Sequence, residues 1–188
     1  MKKFIIYNLC ILSLFSCEKI WVEELHERAC DKIRGLYEPV SIVWEEPEPI
    51  DIDGDGVASF DYLAEWEKIF QGSPGDNIIN NDHGTLDIPY IRDLDAEETD
   101  SPWYSPNLAQ WHIKYDFNIR VVIEGNESHL EFDLPDDGSE FCHTGPGEIT
   151  LRTEVTLTTL TEAGTTKDVT GTIFIKYVRT QYISKLFL

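Results

Sequence analysis

The feature that most constrains the fold is a long alternation of apolar and polar residues over 111–123. Its apolar positions are Trp111, Ile113, Tyr115, Phe117, Ile119, Val121 and Ile123. Successive side chains of a strand point to opposite sides, so this period of two predicts a long β-strand with one buried face. Such a strand needs a second layer, or its own sheet curled over, to cover its apolar face.

Other alternating segments surround this strand. Gly125 and Asn126 predict a two-residue hairpin turn that leads into a strand at 130–134. Alternation also occurs at 149–157 and at 169–179. The succession of strands predicts a mainly β protein, in which an antiparallel meander closes into a barrel or packs as a sandwich.

The chain before the long strand is less regular. An early strand at 36–44 should bury Val40, Ile42 and Trp44 on one face. The segment 72–84 is rich in Gly, Asn and Asp, and predicts a loop. A short strand is expected directly after it, in which Pro89 indicates an edge or a bulge.

An acidic stretch at 51–61 resembles the first half of an EF-hand calcium loop, because carboxylates alternate and a glycine follows. A hard cation needs several oxygen atoms that converge on one point, and Gly56 permits the required bend. The expected calcium ligands are Asp51, Asp53, Asp55, the Val57 carbonyl, Asp61 and Glu65. Without metal, crowded carboxylates would repel one another by roughly 4 kcal/mol per close pair.

The match to that loop is partial. Tyr62 occupies the position that normally holds a bidentate glutamate, and prolines at 47 and 49 exclude an entering helix. A helix after the loop is expected, with Ser59 as its N-cap and Tyr62 and Trp66 on its apolar stripe. The alternative is a solvated acidic turn that holds no metal.

The first residues predict export. Lys2 and Lys3 precede an apolar core at 4–15 that is too short for a comfortable membrane span and is typical of a signal peptide. The residues Leu14-Phe-Ser-Cys17 resemble a bacterial lipoprotein cleavage box, so Cys17 is the expected lipidation site. The alternative is an ordinary secretory peptide with a free Cys17.

Charge and cysteine content restrict the partners. The formal net charge is −20, which excludes nucleic acid as an ordinary partner because no basic patch can neutralise phosphates. Helical spacing after Cys17 predicts a helix that serves as a tether or as a lid on the following domain. Cys30 lies on this helix and Cys142 in a predicted loop; in an oxidising compartment the two could form a disulfide.

A family resemblance rests on three features in this order: Gly35-Leu-Tyr-Glu-Pro-Val-Ser-Ile-Val-Trp44, the acidic loop with Asp61-Tyr-Leu-Ala-Glu65, and a strand meander behind a lipoprotein signal. Together they resemble the lipocalin-like lipoproteins of Bacteroidetes. The resemblance implies a lipocalin-like (calycin) barrel on the outer membrane, anchored by lipid and facing the periplasm or the surface. The expected organisation is a signal peptide at 1–16, a lipidated tether and helix at 17–34, and one domain at 35–188 with a calcium-loop insertion at 45–84.

Three functions stay open from the sequence. The first is a calcium-stabilised binding or interaction module of the cell envelope, with an envelope protein or glycan as partner. The second is a carrier that holds a small apolar ligand inside its barrel. The third is a carboxylate-based hydrolase; no enzymatic activity is expected, because abundant acids pair by chance and nothing distinguishes an acid from a base.

Overall fold

A computed structural model describes residues 20–70, 77–94 and 107–183. Helix α1 lies at 20–30 and helix α2 at Tyr62–Ile69. The strands are β1 (Gly35–Trp44), β2 (Asn77–Ile79), β3 (His83–Asp93), β4 (Leu108–Glu124), β5 (Glu127–Asp133), β6 (Glu140–Gly145), β7 (Glu148–Leu160) and β8 (Thr166–Gln181). The predicted mainly β class is confirmed, because eight antiparallel strands form one curled half-barrel sheet.

The strand order is that of a meander whose ends meet. The order across the sheet is β5-β4-β3-β2-β1-β8-β7-β6, so the first strand pairs with the last. Among the described strands, β5 and β6 form the two edges and share no strand pairing. We refer to the gap between these two edges as the seam.

The long alternating strand is present, but it is buried only in its middle. Tyr115, Phe117 and Ile119 are buried, whereas Trp111 and Ile113 are 42% and 44% exposed. The prediction that the whole apolar face is covered was therefore wrong. The reason lies in the pairing: among the described strands, β5 pairs with β4 only from residue 118 onward, so the earlier half of β4 pairs with β3 alone.

A bulge changes the inward face of β1. The register with β8 shifts between Pro39 and Ser41, so Val40 turns outward and is 53% exposed. Ile42 and Trp44 are buried as predicted. The placement of Val40 on the same face was wrong, because a bulge adds one residue and inverts the alternation beyond it.

Two strands lie where loops were predicted. The strand β2 falls inside 72–84 and has only three residues, too few to show a period. Asn77 fixes it from within the core: its side chain donates to the Tyr37 carbonyl (3.3 Å) and accepts from the Asp87 N–H (2.6 Å). The strand β6 carries Cys142, which was expected in a loop.

Because β2 is short, most of β3 has no strand neighbour on that side, and hydroxyl groups take its place. The Tyr62 hydroxyl of α2 donates to the Pro89 carbonyl (3.0 Å), and the Tyr177 hydroxyl donates to the Asp87 carbonyl (3.1 Å). Pro89, which has no N–H, lies in this part of β3, where β4 is the strand neighbour on one side and no described strand pairs on the other. This agrees with the edge position that a proline predicts. The helix α2 closes this side with Trp66 fully buried.

The first helix packs against the start of β5. Leu25 and Ala29 are buried, and the Ser128 hydroxyl of β5 donates to the Leu25 carbonyl (3.0 Å). Cys30 is the last residue of this helix and is buried, while Cys142 is an exposed free thiol on β6. The suggested Cys30–Cys142 disulfide is therefore absent, because one sulfur atom faces the core and the other faces solvent. Within the described ranges, no helix has the length and apolar character needed to cross a membrane.

Candidate functional site

The acidic loop is fixed to the sheet at its base. Ile50 and Ser59 exchange two backbone hydrogen bonds (2.9 and 2.8 Å), which close the loop as a small hairpin. Ile52 is fully buried, and its carbonyl accepts from the Leu160 N–H at the end of β7 (2.9 Å). The acidic side chains are thus presented by a backbone that is anchored on two sides.

Asp51 organises the turn itself. Its two carboxylate oxygens accept hydrogen bonds from the N–H groups of Gly54 (2.8 Å) and Gly56 (2.9 Å). Both glycines have positive φ, at 72° and 83°, a region that other residues rarely adopt. Gly54 also packs closely on the sheet: an added Cβ would lie 3.0 Å from the Thr161 carbonyl oxygen. These contacts explain why both glycines occur in the loop.

The next two aspartates differ in their surroundings. The Asp53 carboxylate accepts from the Asp55 N–H (3.2 Å), and desolvation raises the pKa of Asp53 above its usual value. The Asp55 carboxylate accepts from the Val57 N–H (2.7 Å), and this hydrogen bond lowers the pKa of Asp55. Asp55 is therefore fully charged at neutral pH.

Glu65 completes a group of acids on a different element. It lies on α2 with its side chain 2% exposed, and it accepts from the Ile52 N–H (3.3 Å). One carboxylate oxygen each from Asp51, Asp53 and Glu65 lies within 4.8 Å of the others, a spacing that could hold a metal ion. We call these three residues the acidic cluster.

A lysine lies against this cluster. The Lys68 Nζ atom is 2.8 Å from Glu65 Oε1, 3.3 Å from Asp55 Oδ2 and 3.8 Å from Asp53 Oδ2. The hydrogen bond to Glu65 is the main cause that raises the pKa of Lys68. The crowded acids were expected to need a divalent ion, but the chain itself supplies one ammonium group beside them. The available signal was the spacing of Glu65 and Lys68, three apart on a helix.

The predicted ligands divide into two groups. Asp51, Asp53 and Glu65 come together, and Asp55 lies beside them through Lys68. Asp61 lies outside the cluster, because its carboxylate caps α2 by accepting from the Ala64 N–H (3.0 Å). The predicted N-cap was therefore wrong by two residues: the Ser59 hydroxyl instead accepts from the Asp61 N–H (3.0 Å).

The Val57 carbonyl as a calcium ligand and Cys17 as the lipidation site stay predictions. Val57 is 63% exposed, and its N–H serves Asp55. Cys17, the expected lipidation site, lies outside the described residues. The chemical capacity of the site therefore rests on the acidic cluster, on Asp55 and on the ammonium of Lys68.

Comparisons of the chain with protein-family models, with curated proteins and with solved structures give no match. The resemblance to lipocalin-like lipoproteins therefore stays a prediction. What the protein does is inferred below from the geometry of the described residues.

Proposed function

We propose that the protein is a lipid-anchored binding module of the bacterial cell envelope whose acidic loop binds one calcium ion. The observation that carries the proposal is the convergence of Asp51, Asp53 and Glu65, whose ligand atoms lie within 4.8 Å of one another. Calcium takes oxygen ligands, mostly carboxylates and carbonyls, and tolerates irregular geometry. Each of the three residues offers one converging carboxylate oxygen, and water would complete the coordination of the ion.

The burial of Glu65 supports a cation at this position. A carboxylate that is 2% exposed is costly unless a charge or strong hydrogen bonds compensate it. Lys68 provides that compensation in the metal-free protein. Its side chain is 36% exposed, so an arriving divalent ion could displace the ammonium and bring Asp55 into the coordination sphere.

The expected consequence of binding is mechanical. The cluster joins the loop to α2 through Glu65, and the loop is joined to the end of β7 through Ile52 and Leu160. A bound ion would therefore lock the insertion against the half-barrel. Large side chains fill the interior, among them Tyr37, Tyr115 and Tyr177, which favours binding at the surface over transport within the barrel.

Thermal unfolding of the full chain with calcium and with EDTA tests the metal. At a calcium concentration about 100 times Kd, the ion should stabilise the folded state by about 2.7 kcal/mol, or raise Tm by roughly 5–10 °C. Asp53→Asn should lose most of this response. Lys68→Gln should lower Tm in EDTA but show a larger rise with calcium, because the competing ammonium is gone.

The matched control is Lys176→Gln, which removes an exposed ion pair with Glu148 (3.3 Å) outside the acidic loop. Its calcium response should equal that of the unmodified chain. If calcium leaves Tm unchanged in both the unmodified chain and Lys68→Gln, the loop is a lysine-neutralised turn and the metal is excluded. Mass spectrometry of the N-terminus from the native membrane tests the anchor, which requires a diacylglyceryl group on Cys17.

A further inference from the structure

A second candidate site lies at the seam, away from the acidic loop. A cavity of about 580 Å³ opens between β5 and β6. Its apolar walls are formed by Leu130 and Phe132 on one edge, Leu134 beyond it, and Phe141 on the other edge. This volume lies within the range of about 300–1,000 Å³ that is typical of small-molecule sites.

Aromatic packing gives the cavity a firm floor. The ring of Phe141 lies 5.0 Å from that of Phe132 and 4.8 Å from that of Phe117, measured between centroids. Phe117 is buried in the core. The two edges are therefore linked by side chains although no strand pairing joins them, and the cavity between them does not depend on the acidic loop.

The lining of the seam cavity contains no acidic residue, although this protein is rich in acids. Acids outnumber Lys and Arg by 35 to 15 in the chain, yet none of the nine residues that line the seam cavity is acidic. Lys32 and two histidines supply its ionisable groups. Three other cavities in the described part each include at least one acid.

Lys32 and His143 differ in their partners within the described residues. The Lys32 ammonium makes no ion pair there. The Nε2 atom of His143 has no hydrogen-bond partner there, but the backbone at Lys32 and at Gly145 hydrogen-bonds to the His143 ring. Burial also lowers the pKa of His143, and a neutral imidazole has only one N–H to donate. The Lys32 ammonium is therefore the group of the lining that is free to pair with an anion.

We propose that the seam binds a small amphiphile that has an apolar body and one carboxylate group. The body would lie on Phe132, Phe141 and their leucine neighbours, and the carboxylate would face the Lys32 ammonium. The proposal goes beyond the calcium-binding function and does not require it, since the seam and the acidic loop share no residue.

Binding of a fluorescent fatty acid to the full chain tests the proposal. The probe is 11-(dansylamino)undecanoic acid, and its control is the dansyl amine of equal length, which has the opposite head charge. The acid should bind with Kd of about 1–10 µM and the amine about tenfold more weakly or worse. Lys32→Gln should weaken the acid about five- to tenfold, whereas Lys176→Gln should not, and EDTA should change neither value.

A second measurement locates the probe. Cys142 lines the cavity and is exposed, so its alkylation, followed at its own peptide by mass spectrometry, should slow when the acid is bound. Three results would overturn the proposal: no binding of the acid below about 100 µM, equal binding of acid and amine, or no protection of Cys142. Protection that instead grows with protein concentration alone would assign the seam to a second copy of the chain.

Discussion

Substitutions of Asp61 can distinguish a structural role of this residue from a role in metal binding. The calcium-loop pattern predicts it as a ligand, whereas the structure has its carboxylate accept from the Ala64 N–H (3.0 Å) as the N-cap of α2. The two roles predict opposite results for Asp61→Ser, because serine retains an N-cap oxygen but removes the carboxylate.

The magnitude follows from the short helix that this cap begins. The helix α2 has eight residues and depends on its packing, with Tyr62 and Trp66 fully buried against the core. Asp61→Ala should cost about 1 kcal/mol, within a range of about 0.5–2 kcal/mol for lost N-caps. For a chain of this size the expected fall in Tm is about 2–4 °C per kcal/mol. Asp61→Ser should lower the free energy of unfolding by less than half as much as Asp61→Ala.

The assay is thermal unfolding in EDTA, followed by calcium titration, of the unmodified chain, Asp61→Ala and Asp61→Ser. Asp61→Ala and Asp61→Ser should both keep the calcium affinity of the unmodified chain within about twofold, since every 1.4 kcal/mol changes Kd tenfold. Asp53→Ala provides the matched loss of a carboxylate inside the cluster. A tenfold loss of calcium affinity in Asp61→Ser, together with an unchanged Tm of Asp61→Ala in EDTA, would refute the cap assignment.

Three further changes follow from the fold. Tyr62→Phe leaves a buried β3 carbonyl without its donor and should lower the free energy of unfolding by about 1–2 kcal/mol in urea titration. Gly84→Ala would put a Cβ 2.2 Å from the Phe117 ring and should cost about 1–3 kcal/mol, whereas Gly145→Ala meets nothing within 4 Å and should cost far less. Burial lowers the pKa of His143 below 6.5 in the folded protein. Tm should therefore fall as the pH drops from 6.5 toward that lowered pKa, because in this range only the unfolded chain takes up the proton. His143→Gln should flatten this part of the plot of Tm against pH.

The long strands could be predicted because their signals are local. The β4–β5 hairpin follows from Gly125, which has φ of 60° at the first central position, together with the alternation on either side. The β7–β8 pair follows from the alternation on both sides of a longer turn that contains Gly164, which has φ of 76°. Burial depends on distant neighbours, however, so the exposure of Trp111 could not be read from a period that continues unchanged through it.

Other elements left no pattern to read. The three residues of β2 are defined by what Asn77 bonds to in the core, and the bulge at Val40 is defined by its register with β8. In the acidic cluster, the proximity of Asp51 and Asp53 could be predicted from their spacing, because both lie in one turn. Asp61 belongs to the same acidic pattern, but it lies directly before α2 and therefore caps the helix.

The pairing of β1 with β8 has a consequence for how the molecule is made. Tyr37 faces Arg179 across that ladder, so the first strand has its long partner only when almost the entire chain has been synthesised. Contacts this far apart in sequence slow folding, and until they form the apolar side of β1 stays available to chaperones and to other chains. A chain that stops before β8 would therefore lose more than its last strand, because its beginning would have nothing to fold against.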